Sequence, residues 1–193
     1  MVSQIKVDSV LESTSAAGVT IDGVLLKDSK LASGTGNVLQ VVGATDATVA
    51  SYTISADANQ KLGSLEVTIT PKSTSSKILL LATVQTGGRG RYNSLNFYRG
   101  STVLGMSDQA SGSRTNAGSY LNTGDFNDII YQVMTTNMHF FDSPSSTSAI
   151  TYSVHVTRRY SSDTIYYNRP ENDTDAGYIM RTRSTITAIE VGG

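Results

Sequence analysis

The chain has 193 residues, a formal net charge of −1 at pH 7 and no cysteine. The lack of cysteine excludes disulfide scaffolds, thiolate metal sites and cysteine nucleophiles. The balanced charge argues against a nucleic-acid-binding protein, which normally carries a basic stripe, and no apolar stretch approaches the length of a membrane span. A chain of this length has room for one ordinary domain plus an extension.

Residues 1–30 carry the pattern of two short strands joined by a small-residue turn at residues 16–18. Apolar side chains alternate with polar ones both before and after this turn. A lone pair of strands is at best marginally stable in water, so we expect this stem to pack against other copies of itself and against a larger assembly. The apolar residues assigned to the stem are Ile5, Val7, Val10, Val19, Ile21, Val24 and Leu25.

Residues 31–37 are rich in small residues and include two glycines, which predicts a flexible junction. We therefore divide the chain into an N-terminal stem with its linker, residues 1–37, and a head domain, residues 38–193. Helical periodicity is nearly absent from the head. The predicted strands are residues 38–42, 48–55, 64–70, 77–85, 94–99, 128–136, 149–157 and 184–191. Many short strands separated by turn signals favour a β-sandwich or a jelly roll.

Two features of the head stand out from this regular pattern. The predicted strand 77–85 contains a continuous apolar run at residues 78–82, which indicates a strand buried on both faces or one that lies at a contact between subunits. The polar stretches 107–127 and 160–178 are predicted to be long loops, and long loops in compact domains are often functional.

Catalytic and metal-binding patterns are weak in this sequence. The two histidines, His139 and His155, have no Gly-x-Ser-x-Gly elbow to accompany them, so we interpret them as structural or surface residues. The paired carboxylates Asp125 with Asp128, and Glu171 with Asp173 and Asp175, lie in turn-rich segments where Asp favours local backbone hydrogen bonds. We expect a protein that is not an enzyme and that has no metal and no cofactor.

Tyrosine and arginine residues in several loops form the predicted recognition surface. Both residue types are enriched at binding hot spots, and aromatic rings suit the apolar faces of sugars. The alternative is that these side chains pack against neighbouring protomers, since Tyr and Arg serve protein–protein interfaces equally well. The predicted receptor-binding residues are Arg89, Arg91, Tyr92, Tyr160, Tyr166, Tyr167, Asn168 and Arg169.

Several segments together resemble the small fibre and receptor-binding proteins of tailed bacteriophages. Residues 5–10 and 18–28 are similar to a stem module of phage tail fibres. The segments 71–80, 97–100, 141–144, 151–154, 167–169 and 184–191 are similar to strands and turns of the fibre head. The resemblance covers almost the whole chain, and its motifs are structural.

The resemblance implies an all-β homotrimer with a short β stem and a jelly-roll head similar in outline to tumour-necrosis-factor-like domains. It implies a virion structural protein, assembled in the host cytoplasm, that mediates attachment to a host surface glycan or protein. Its stem contacts other virion proteins, and neither nucleic acid nor membrane insertion is involved. The alternatives are a capsid decoration or head fibre protein and a secreted carbohydrate-binding module or depolymerase.

Overall fold

The computed structural model describes residues 19–21, 24–27, 30–31, 36–88, 92–108, 112–121 and 129–193. This part of the chain is built almost entirely of strands, and none of its helices is long and apolar enough to cross a membrane. The strands are β1 (Val19–Ile21), β2 (Val24–Lys27), β3 (Lys30–Leu31), β4 (Val38–Asp46), β5 (Ala50–Ile54), β6 (Asn59–Ile69), β7 (Lys77–Gly87), β8 (Asn93–Arg99), β9 (Thr102–Leu104), β10 (Ser119–Leu121), β11 (Val133–Asp142), β12 (Ile150–Arg158), β13 (Asp163–Tyr167) and β14 (Ser184–Val191).

The described part of the N-terminal segment is a small antiparallel sheet. β1 pairs with β2, with Val19 opposite Leu26, and β2 pairs with β3. The predicted strand at residues 5–10 and the turn at residues 16–18 lie outside the described residues, as do Ile5, Val7 and Val10. The stem role of the segment and the domain division at residue 37 stay predictions.

The head is a sandwich of two antiparallel sheets. In sheet I the order is β4-β14-β7-β11, and β13 continues beyond β14 along the same edge of β7 and pairs with β5. In sheet II the order is β10-β8-β12-β6, with β9 also paired to β8. Strands that follow one another in the chain mostly change sheets, which is the arrangement of a jelly roll with its Greek-key connections. The prediction of an all-β sandwich is confirmed.

The core lies between the two sheets and is built from alternate residues of each strand. On β7 the side chains of Ile78, Leu80 and Val84 are fully buried, whereas Leu81 points to the other side and is 40% exposed. The apolar run 78–82 is therefore not buried on both faces within one chain. Its outward residues lie on the outer surface of sheet I.

Hydrogen bonds and strand ends define two ends of the sandwich. At the base end, the Gly36 amide donates to the Gly192 carbonyl, and the Gly192 amide donates to the Asn37 carbonyl. The chain therefore enters the head from the N-terminal segment at this end. The distal end lies opposite, where β4 ends at Asp46 and β12 ends at Arg158.

Three predicted segments differ from the structure. The predicted strand 128–136 is a 3-10 helix at Ile129–Tyr131 followed by β11, which reaches Asp142. The predicted loop 107–127 contains β10, and the predicted loop 160–178 contains β13. These two strands and β9, which was also not predicted, are short. The pairing of β10 to β8 and of β13 to β5 depends on contacts distant in sequence.

Candidate binding surface at the distal end

A buried carboxylate organises the distal end. Asp46, at the end of β4, accepts hydrogen bonds from the amides of Ser64 (2.7 Å) and Thr48 (2.8 Å) and from the Tyr167 hydroxyl (3.2 Å). Burial alone would raise the pKa of Asp46, but these hydrogen bonds stabilise the carboxylate and hold its pKa below the usual value. The ionised side chain thereby ties β4, β6 and β13 together.

Two predicted receptor-binding residues belong to this network. The Tyr167 side chain is fully buried, and burial raises the pKa of its hydroxyl. The Asn168 side chain is also fully buried and donates to the carbonyls of Asp46 and Thr48, both at 2.9 Å. Its amide oxygen accepts a 2.7 Å hydrogen bond from Ser184. Neither side chain can touch a binding partner in this structure, which corrects their assignment to the recognition surface. Their role is to hold the distal loops.

Tyr166 and Arg169 lie next to each other at the surface. The Arg169 guanidinium carbon stands 4.8 Å from the centre of the Tyr166 ring, a cation–π arrangement. Partial burial raises the pKa of the Tyr166 hydroxyl, and the charge of Glu171 acts in the same direction. The structure thus brings these two predicted residues together, with the ring covered on one side by the cation.

The acidic stretch 171–175 is organised by arginine. Asp173 accepts hydrogen bonds of 3.0 and 2.7 Å from Arg181, and Arg169 approaches it to 3.8 Å. The hydrogen bond from Arg181 lowers the pKa of Asp173. These contacts give Asp173 a structural role, in agreement with the interpretation of this segment as a loop. Asp125 and Asp128 lie outside the described residues.

Tyr92 and Tyr160 are two exposed aromatic residues at the distal end. Their ring centres are 5.5 Å apart in an edge-to-face arrangement, and they are 50% and 67% exposed. Beside them a cavity of about 160 Å³, here called the aromatic pocket, is lined by Tyr92, Asn93, Ser94, Thr115, Asn116, Ala117, Tyr120 and Arg159. Two of the predicted residues thus meet at one site, and Arg89 and Arg91 lie outside the described residues.

Tyr120 was missed by sequence reasoning. It lies on β10, inside the stretch predicted to be a long loop, and is 60% exposed. Its pairing opposite Ser94 on β8 places it at the pocket. An isolated tyrosine in a polar stretch gives no signal of this position, because the pairing of β10 with β8 alone determines it.

A second surface of interest is the outer face of sheet I. A row of cross-strand neighbours runs from Val41 through Ile189 and Leu79 to Phe141. Leu81 follows in the next row, and Phe141 is 55% exposed. This row and the two rows toward the distal end contain no Asp, Glu, Lys or Arg. We call the set Val41, Leu79, Leu81, Phe141 and Ile189 the apolar face.

The outer face of sheet II is polar by contrast. Thr68 and Thr151 share a hydrogen bond of 2.8 Å, and Lys61 pairs with Glu66 at 2.6 Å. Exposed apolar patches mark interaction sites when they are contiguous. The outer face of sheet II is therefore suited to contact with water, whereas the outer face of sheet I is suited to contact with another apolar surface.

A hydrogen-bonded chain on sheet II has the order of a catalytic triad. The Ser153 hydroxyl lies 3.0 Å from His155 Nε2, and the Asn59 amide oxygen lies 3.3 Å from His155 Nδ1. Ser153 is buried, and the Tyr98 ring stacks on His155 at 4.0 Å between centres. Burial, together with the charge of Lys61, lowers the pKa of His155. A substrate carbonyl would have to reach a hydroxyl that is covered, so we interpret the chain of bonds as structural.

These features define the protein as an all-β, jelly-roll-like sandwich with an aromatic distal end and an apolar outer face. No protein-family model and no curated protein sequence matches the chain. Among solved structures, the chain is similar to one described as the crystal structure of the infectious bursal disease virus VP2 subviral particle. The identity is 12% and the TM-score 0.40, over 96% of this chain and 41% of that chain. A likeness at this level assigns neither function nor family.

Proposed function

We propose that this chain is a structural subunit of a bacteriophage virion, a trimeric fibre-type protein that attaches to the host cell surface without catalysis. Three copies associate through the apolar face, the N-terminal segment contacts the particle, and the distal end points away from it. The resemblance to phage fibre proteins supports the trimer. The chain enters the head at the base end, which leaves the distal end free for attachment.

The observation that carries this proposal is the apolar face. An outer sheet face in contact with water normally carries polar residues, as the outer face of sheet II does. The row from Val41 to Phe141 instead crosses all four strands without a charge. A charge-free face offers no complement to a charged partner, but it is complementary to further copies of itself.

The outer face of sheet I is large enough for self-association. Its four strands, about 4.8 Å apart and about nine residues long, cover roughly 600 Å² in plan, and the apolar face is part of this area. That is the same order as the ~800 Å² that each partner buries in a standard protein interface. An isolated chain would leave the apolar face in water, where it would favour non-specific aggregation.

Light scattering on the full chain tests the proposal. We expect a mass of three times the 20.5 kDa of one chain. Phe141→Lys places a charge within the proposed contact and is expected to give a monomer. Thr151→Lys, at an exposed position on the outer face of sheet II, is the matched control and is expected to leave the trimer intact. A monomeric wild-type protein would overturn the trimer.

A further inference from the structure

We propose that the aromatic pocket binds a single neutral pyranose ring of a saccharide. This inference deepens the proposed function, on which it rests, by naming the class of ligand and its site. The pocket lies at the distal end, where Tyr92 and Tyr120 provide exposed ring surfaces. Each Tyr ring offers an apolar surface together with a polar hydroxyl group, and a pyranose ring has the matching combination of an apolar face and hydroxyl groups.

The polar groups of the pocket suit hydroxyl groups. Ser94, Thr115 and Asn116 provide hydroxyl and amide groups along its lining. Such a pairing of an apolar wall with a few polar groups is how small-molecule sites fix orientation. No carboxylate is among the residues that line the pocket.

The charge balance of the pocket favours a neutral ligand. Arg159, the cationic residue among those that line it, is held by Asp57 at 3.1 Å. The guanidinium keeps donor groups available for hydroxyl oxygens, while its charge is balanced by a partner at the rim. An acidic sugar would have to compete with Asp57 for this cation.

The size of the pocket suits a single ring. About 160 Å³ is below the range of roughly 300–1,000 Å³ that sites for drug-sized ligands occupy. A protein receptor would instead need a surface on the order of 800 Å². The pocket is therefore suited to one terminal or branching sugar unit.

The backbone of Tyr92 points to a functional reason for this residue. Its φ is +58°, a left-handed conformation that is an outlier for a bulky residue and that Asn adopts several-fold more readily. The conformation is held by the Arg159 amide, which donates to the Tyr92 carbonyl at 3.1 Å, and by the edge-to-face contact with Tyr160. Residues kept in such a conformation cluster at functional sites. The backbone conformation at position 92 disfavours tyrosine, yet the Tyr92 ring lies half exposed at the pocket. Binding of a ligand by this ring explains why a tyrosine occupies the position.

Saturation-transfer NMR with simple glycosides tests the inference. The probes are the methyl glycosides of glucose, galactose, mannose and N-acetylglucosamine, each added to the full-length protein. We expect transfer from the protein to the ring protons of at least one of them. We expect that transfer to be lost in Tyr120→Ala and in Tyr92→Asn. Tyr178→Ser removes an exposed tyrosine that does not line the pocket and is expected to leave the transfer unchanged.

Thermal unfolding of the same variants separates binding from structure. Because Asn tolerates the left-handed conformation, Tyr92→Asn is expected to have a Tm equal to or above that of the wild type while binding is lost. A clearly lowered Tm would make Tyr92 a structural residue and overturn its assignment. No transfer to any glycoside, or transfer that persists in both pocket variants, would overturn the pocket and favour a protein receptor. Light scattering on the same samples distinguishes failure of the pocket proposal from failure of the proposed function. A trimer that binds no glycoside contradicts the saccharide site but not the trimeric fibre protein.

Discussion

The Tyr152 hydroxyl donates a 2.6 Å hydrogen bond to the Asp142 carboxylate, and both residues are buried. Asp142 ends β11 in sheet I and Tyr152 lies on β12 in sheet II, so this bond joins the two sheets at the base end. The Arg99 guanidinium approaches both carboxylate oxygens, at 3.0 and 2.9 Å. The buried Asp142 carboxylate therefore receives hydrogen bonds from both the Tyr152 hydroxyl and the Arg99 guanidinium.

Tyr152→Phe is expected to lower the free energy of unfolding by about 1.5–3 kcal/mol, the usual range for a hydrogen bond to a charged group. The ring still fills its place in the core, so the loss reports on the hydroxyl alone. Urea denaturation measures it. Tyr131→Phe, at an exposed position, is the control and is expected to change stability by less than about 0.5 kcal/mol. Equal effects of the two substitutions would contradict this account.

Gly63 is expected to tolerate alanine poorly. Its φ is +49°, and a Cβ there would collide with the Asp46 carboxylate and lie 2.9 Å from the Tyr167 ring. We expect Gly63→Ala to cost roughly 3 kcal/mol or more, because backbone strain and overpacking add. Gly100 has a similar φ of +57° but no atom within 4 Å of the added Cβ. Gly100→Ala should therefore cost only the strain of about 1–2 kcal/mol. Chemical denaturation of both variants measures the difference, and similar losses would show that packing around Gly63 does not matter.

Stability is expected to fall in acid, in part because of Asp46. Its pKa is lower in the folded chain than in the unfolded one, where it is about 3.9. The contribution is therefore complete above that value and is lost as the pH falls through it toward the folded pKa. Asp46→Asn is expected to be less stable at pH 7 and to lose less stability between pH 5 and pH 3, as measured by urea denaturation at each pH.

Glu190 is expected to account for a further part of the loss of stability in acid. It is fully buried on β14 and accepts hydrogen bonds from Gln40 and from the Lys72 amide. Burial opposes ionisation, yet these hydrogen bonds lower its pKa. Glu190→Gln in the Asp46→Asn background should flatten the acid slope further. A slope that neither substitution changes would show that other carboxylates dominate.

His155 is expected to add a second pH dependence near neutrality. Burial and the charge of Lys61 lower its pKa in the folded chain below the value of about 6.5 in the unfolded chain. The unfolded chain therefore takes up the proton first, and stability falls as the pH drops below about 6.5. His155→Gln should remove this dependence between pH 7 and pH 5. Lys61→Met should raise the pKa of His155, as an NMR titration of the imidazole would show, and an unchanged value would contradict the contribution of Lys61.

The sequence predicts the strands of the head well where alternation is strong. The predicted strands 149–157 and 184–191 agree with β12 and β14 to within one residue at each end. Alternation succeeds there because each strand has one face in the core, so its side chains must follow the period of two. The strands β9, β10 and β13 were missed, because three to five residues give too little pattern and only pairing with other strands stabilises them.

The candidate site could be predicted only in part. Loop position and residue type pointed to Tyr92 and Tyr160, which the structure brings together. The same reasoning pointed to Tyr167 and Asn168, whose side chains turn inward to Asp46. Whether a side chain is exposed depends on how all the strands pack. The sequence around a tyrosine in a polar segment does not show whether its ring is exposed or buried.

By itself, the sequence determined that this chain folds as an all-β sandwich, because the alternation of apolar residues is a local property that burial on one face imposes. Only the tertiary structure decided which strands are neighbours and which side chains meet. The pairing of β10 with β8 created the aromatic pocket, and the order of sheet I aligned Val41, Ile189, Leu79 and Phe141 into one row. Both surfaces arise from contacts between residues far apart in the chain, whose register is determined by packing of the whole core.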